Sequence, residues 1–115
     1  MDDGNTKSGP PAVLVVTVEV DESDVDELNH WYEAEHRPEK LSLPGYRSMR
    51  RFRAADGSAK FLAVYELDDA ESGTTLPPGG YNPSDWMQQV MSKWKHWERA
   101  VWVELPAGNP EDTTS

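Results

Sequence analysis

Residues 12–20 read Ala-Val-Leu-Val-Val-Thr-Val-Glu-Val, a run too rich in β-branched residues and too short for a helix, and it predicts a first strand. Ser23 then stands where it could cap a helix beginning near Asp24, with Asp24, Asp26 and Glu27 in the first turn, where negative charge suits the positive end of the dipole. Helical spacing puts Val25, Leu28, Tyr32 and His36 on one stripe, with Asn29 and Glu35 at its borders, and Pro38 is expected to end the helix. Pro44-Gly45 makes a turn. Residues 46–53 alternate as a strand, Asp56-Gly57 breaks the chain in hairpin fashion, and residues 60–67 alternate again, which predicts two adjacent antiparallel strands. Residues 68–83, with Pro or Gly at every position from 77 to 80, form a loop long enough to act as a lid or to hang in solvent. Ser84-Asp85 opens a second helix whose Met87, Val90, Met91 and Trp94 form the buried stripe, with Trp86 and Trp97 at its edge. Residues 100–105 supply a last strand, closed by Pro106.

The order βαββαβ is that of an α+β, ferredoxin-like sandwich: a four-stranded antiparallel sheet with two helices on one face. It occupies residues 12–106 as a single domain. Residues 1–11 and 107–115, which have little to bury, read as a disordered leader and tail. The sheet face without helices would carry Val13, Val15 and Thr17 beside Phe61, Ala63 and Tyr65, too apolar a set to leave in water, so a second subunit is expected to cover it.

Composition narrows the partners. The chain has 115 residues, enough for one modest core, and 21 acidic against 11 basic side chains give a net charge of −10. Such a surface repels phosphate backbones and anionic lipid, so nucleic acid and membranes are not expected partners. No apolar run approaches the roughly 20 residues of a membrane span, and the first ten residues lack the blocks of a signal peptide. The absence of cysteine removes disulfides, thiolate metal sites and cysteine nucleophiles. A cytoplasmic location is the default expectation.

The groups capable of proton chemistry crowd into residues 29–53. His36 falls in the last turn of the first predicted helix, on its inward stripe, and an ordinary imidazole pKa near ~6.5 suits a general acid or base. The alternative is a histidine bonded to the helix's last carbonyls and packed under Pro38. His30 and His96 fall on outward faces and are read as surface residues, and no His-x-x-x-His pair is present, which leaves His36 with a glutamate across strands as the one metal alternative, with nothing that selects for it. Glu35 lies close enough to the stripe to orient the imidazole, or it is simply solvated. Arg47, Arg50, Arg51 and Arg53 fall on both faces of their strand. An inward Arg51 would need a carboxylate partner or would hold a substrate anion. Tyr65 is placed to donate a proton into a pocket or to fill the core. Trp31, Trp86, Trp94, Trp97 and Trp102 suit either a core and seam or an aromatic-lined pocket. There is no phosphate loop, nucleophile elbow or Gly-x-Gly-x-x-Gly.

Tyr32-x-x-Glu35-His36-x-Pro38, Leu43-Pro-Gly-Tyr46, Arg51-Phe52 and residues 61–67, Phe-Leu-Ala-Val-Tyr-Glu-Leu, resemble the dimeric α/β-barrel superfamily, and within it the EthD-like branch. The resemblance spans roughly residues 12–105 and implies a homodimer with sheets paired face to face. It implies a small-molecule pocket in which His36 is the acid or base, Tyr65 and Arg51 polarise the oxygen that gains charge, and Tyr32, Glu35, Trp31, Trp86, Trp97 and Trp102 bind substrate. The chemistry it first suggests is proton transfer without an organic cofactor on an enolisable or aromatic molecule: isomerisation, cyclisation or a lyase step. The alternatives are an oxygen-using monooxygenase acting on an electron-rich phenol, a haem protein with His36 as axial ligand, and a non-catalytic ligand-binding dimer.

Overall fold

In a computed structural model, residues 9–107 can be described. Strand β1 (Ala12–Glu19) leads through a 3-10 turn (Glu22–Asp24) into α1 (Val25–Trp31), a π turn (Tyr32–His36) and α2 (Arg37–Leu41). Strands β2 (Tyr46–Arg53) and β3 (Lys60–Leu67) follow, then a 3-10 turn (Ala70–Thr74), α3 (Asp85–Met91) and β4 (His96–Val103). The sheet order is β2-β3-β1-β4, antiparallel throughout, with the helices on one face. This is the ferredoxin-like α+β sandwich that the element order predicts. The expected leader and tail fall outside the described residues except at 9–11 and 107.

The core lies between sheet and helices. Leu14, Leu28, Trp31, Tyr65 and Leu67 are its fully buried members, because the stripe of α1 drops onto the inward positions of the two central strands. Gly45 has φ +89°, which a side chain rarely adopts, and a Cβ there would collide with Ser72. Its carbonyl accepts from Asp68 N–H at 2.9 Å, closing the chain from α2 into β2 against the end of β3.

Several expectations need correction. Ser23 caps nothing; it lies inside the 3-10 turn, and the helix proper begins at Val25. Pro38 does not end the first helix. The π turn ahead of it carries the chain into α2, where proline sits in the first turn and its missing N–H costs no helical bond. The second helix stops at Met91 and β4 begins at His96, because all eight residues of β4 pair with β1 from Ala12↔Val103 to Glu19↔His96. That ladder outweighs the helical spacing that seemed to continue through Trp94 and Trp97.

The uncovered face is also different from expectation. Register pairs Val13 with Glu66, Val15 with Val64 and Thr17 with Leu62, so Leu62 and Val64 face outward while Phe61, Ala63 and Tyr65 lie under the helices. Phe52, Ala100 and Trp102 join the outer face through Phe52↔Leu62, Val15↔Ala100 and Val13↔Trp102. It remains an apolar surface, with Trp102 59% exposed. In β2 a bulge between Tyr46 and Ser48 shifts the alternation by one. Tyr46 before it and Met49 and Arg51 after it therefore all reach the covered side, where simple alternation would separate Tyr46 from Arg51.

Candidate functional site

The first helix builds the site through its π turn. Arg37 N–H bonds to Tyr32 O, five residues back instead of four, so residues five apart nearly eclipse. Trp31 and His36, which would sit on different sides of a regular α-helix, stack with ring centroids 4.4 Å apart and planes 22° apart. Tyr32 meets the same imidazole edge-on at 5.2 Å, and Tyr65 of β3 approaches it at 6.3 Å. Tyr46 meets Tyr65 edge-on at 5.8 Å from the neighbouring strand.

Of these rings, Tyr32, His36 and Tyr65 border a cavity of about 240 Å³ between sheet and helices. Leu14 and Val16 form its floor, Tyr32, His36 and Lys40 enter from the first helix, and Tyr65 from β3. Met87 and Met91 of α3, Trp94 of the link after it and Trp97 of β4 close it, with Tyr81 of the long loop and Arg99 of β4 at its rim. Residues 75–77 and 81–83 of that loop pass over a smaller crevice beside His36 and Lys40, so the loop is packed across the site. A cavity of about 150 Å³ holds benzene, so this one has room for a substituted bicyclic aromatic.

What marks the cavity as a site is unmade hydrogen bonding. His36 Nδ1 and Trp94 Nε1 are buried with no partner, a costly state unless a ligand completes them, while the buried hydroxyl of Tyr65 has only the Tyr32 hydroxyl beside it and that of Tyr46 only Arg99. Burial, helped by the charges of Lys40 and Arg51, pushes His36 down to about 3, so the imidazole is neutral across the physiological range. Its nearest carboxylate, Glu39, is 3.7 Å from Nδ1 and largely solvated. Burial raises the phenols of Tyr65, Tyr32 and Tyr46, which keeps them protonated as donors.

Of the residues predicted from sequence, His36, Tyr65, Tyr32 and Trp97 meet at this cavity. Arg51 stands one layer behind, its guanidinium 4.1 Å from the Tyr32 ring centroid and 5.6 Å from that of Phe61. Its closest carboxylate, Glu33, is 4.0 Å away, and its Nε and Nη2 are buried and unpartnered. Glu35 does not orient the imidazole. Its Oε2 accepts from Trp31 Nε1 at 3.0 Å and from Ser84 Oγ at 2.5 Å, tying the first helix to the cap of α3. Trp31 is core, fully buried behind His36. Trp86 packs outside against His30, and Trp102 lies on the uncovered sheet face. Sequence reading missed Lys40, Arg99, Tyr46 and Tyr81 as members of the site. Lys40 was legible in principle, four residues after His36 on the same helix, had Pro38 not been taken as a stop.

No protein-family model and no curated protein matches the chain. Solved structures do match in shape. A provisionally assigned antibiotic biosynthesis monooxygenase from Nitrosomonas europaea superposes with TM-score 0.67 at 13% identity, covering 90% of this chain and 99% of its own. One of the same description from Deinococcus radiodurans gives 0.64 at 11%, covering 85% and 96%. A dimeric ferredoxin-like protein from an uncultured marine organism gives 0.66 at 11%, covering 93% and 96%. The shared fold is ferredoxin-like. At such identities the likeness reaches the fold and no further.

Proposed function

We propose that the protein is a small monooxygenase that oxidises a hydroxylated, electron-rich aromatic in the cavity beside His36 and Tyr65, and that it works as a homodimer. The observation that carries this reading is the aromatic-lined space bordered by an imidazole with an unpartnered Nδ1 and by the buried Tyr65 phenol, which in this reading bond a ring oxygen. The names of the structural neighbours support the oxygen-using class.

The chemistry needs little from the protein. A phenol with a free para position carries all the electrons required: phenol plus O2 gives the para-quinone plus one water. The ring loses its hydroxyl proton and its para hydrogen, one oxygen atom enters the ring, and the other leaves in water. The protein's part is to hold the ring, stabilise charge on its oxygen as it is oxidised, and exclude bulk water. Tyr65, held protonated, donates to that oxygen, and the Arg51 guanidinium acts behind Tyr32 in a region of low dielectric. His36 contributes a hydrogen bond. At about 3 it is too weak a base to take a proton from carbon, which weighs against the isomerase, cyclase or lyase chemistry that the sequence first suggests. The cavity is open, with aromatic side chains lining it rather than filling it, which weighs against a purely structural dimer.

The dimer follows from the uncovered face, where Val13, Val15, Leu62 and Val64 are only half-buried and Phe52 and Trp102 are exposed. A second copy laid on it would remove this surface from water. The function is tested with an oxygen electrode and a panel of naphthols. Uptake above the autoxidation rate supports the proposal, and turnover of an enolisable substrate without oxygen uptake would replace it with proton transfer.

A further inference from the structure

Lys40 and Arg99 are cavity-lining cations outside the ion pairs of the described residues, with the Glu39 charge acting on Lys40 from beyond ion-pair distance. In a chain with 21 acidic residues, Arg37, Arg47, Arg53, Lys93 and Lys95 each have a carboxylate within ion-pair distance. Among the described residues Lys40 and Arg99 have none, although both line the cavity. Lys40 is half-buried, with its ammonium 5.2 Å from the Tyr46 ring centroid. Arg99 donates from Nη2 to Gly73 O at 2.6 Å, which fixes the guanidinium, and it lies beside the Tyr46 hydroxyl. Between them, Tyr46 is 7% exposed, with its hydroxyl beside the Arg99 guanidinium. Burial and the neighbouring Arg99 charge both disfavour the charged form of Lys40, so the pair is held together against its own repulsion.

We propose that this end of the cavity binds an anionic oxygen carried by the aromatic ligand, a carboxylate or an ionised phenol, clasped by Lys40, Arg99 and the Tyr46 hydroxyl. The inference rests on the cavity being an aromatic-ligand site, and it adds the charge class of that ligand. An anion here would offset the repulsion between the two cations and accept a charge-assisted bond from the Tyr46 hydroxyl, whereas a neutral ligand would leave the repulsion in place. Across the cavity the aromatic body would lie against Trp94, Met87 and Met91, leaving a second oxygen for Tyr65 and His36.

The test is calorimetric titration of the full chain with 2-naphthoate, with 2-naphthamide as its neutral isostere, and with 4-nitrophenol from about pH 5.5 to about pH 8.5, where its hydroxyl ionises. The expected result is naphthoate binding at least about ten-fold tighter than the amide, with the preference falling to about two-fold in Lys40→Met and in Arg99→Gln. Nitrophenol that tightens with ionisation, while naphthoate shows no advantage, assigns the anion to a phenolate and also supports the proposal. The proposal is overturned if amide and acid bind alike and nitrophenol binding is flat with pH, or if both substitutions leave the preference intact. Absence of oxygen uptake would leave these affinities as they are, so the monooxygenase reading and the anion site fail separately.

Discussion

The imidazole of His36 lies flat on the indole of Trp31, five residues back in the same helix, with 4.4 Å between ring centroids. This stack depends on the π turn, and it is one reason why the imidazole is held neutral. Replacing Trp31 with leucine is expected to cost about 2–4 kcal/mol and to let water reach the ring. NMR titration of the variant should place the His36 pKa well above the wild-type value and closer to 6.5. An unmoved pKa would show that the stack does not control the titration.

The depressed pKa of His36 makes stability depend on pH. In the unfolded chain the ring takes up a proton as pH falls below 6.5, whereas in the fold it resists protonation until about 3. The unfolded state therefore binds more protons in that window, and stability should rise from about pH 3 to about pH 6.5 and then level off. The full contribution is up to about 5 kcal/mol. Denaturant titrations of wild type and His36→Leu across this range should show the slope in the wild type and a flatter profile in the variant.

Glu35 Oε2 accepts from both Trp31 and Ser84, and Ser84 Oγ also accepts from Met87 N–H at 3.0 Å as the cap of α3. Ser84→Ala is expected to cost about 1 kcal/mol through the lost cap. Glu35→Ala should cost about 1–3 kcal/mol, because it strands the Trp31 indole N–H in the core. The double variant should cost less than the sum, since the two changes share one hydrogen bond. Simple additivity in urea melts would show that the two helices are not coupled through this carboxylate.

Leu62 and Val64 stand at the centre of the uncovered sheet face, on the opposite side of the sheet from the cavity. Changing both to glutamate should leave the monomer fold intact and shift the mass in native mass spectrometry from two chains to one. A wild-type protein that is monomeric at micromolar concentration would remove the proposed dimer.

The fold was legible because its punctuation is local. Pro44-Gly45 and Asp56-Gly57 bracket β2, and the β-branched run at 12–20 permits little besides a strand. The faces were less legible. Residues 61–65 of β3 are apolar at nearly every position, so alternation cannot say which set points inward, and only pairing with β1 decides. The bulge beside Arg47 flips the parity of β2 without a glycine to announce it. At the site, His36, Tyr32 and Tyr65 could be found because they sit on regular stripes. Lys40 and Arg99 could not, since one lies beyond a proline that the π turn absorbs and the other belongs to a strand that began four residues earlier than its sequence suggested.

The central claim is that oxygen chemistry takes place on a hydroxylated ring held by Tyr65 and His36. The most direct measurement is turnover of 1-naphthol under ¹⁸O-labelled dioxygen, with the product analysed by mass spectrometry for wild type and for Tyr65→Phe. The account predicts a naphthoquinone carrying one labelled oxygen, formed well above the uncatalysed rate by the wild type and at least about ten-fold more slowly by Tyr65→Phe, with folding unchanged. Label incorporation no faster than in buffer, or equal in the two proteins, would contradict it.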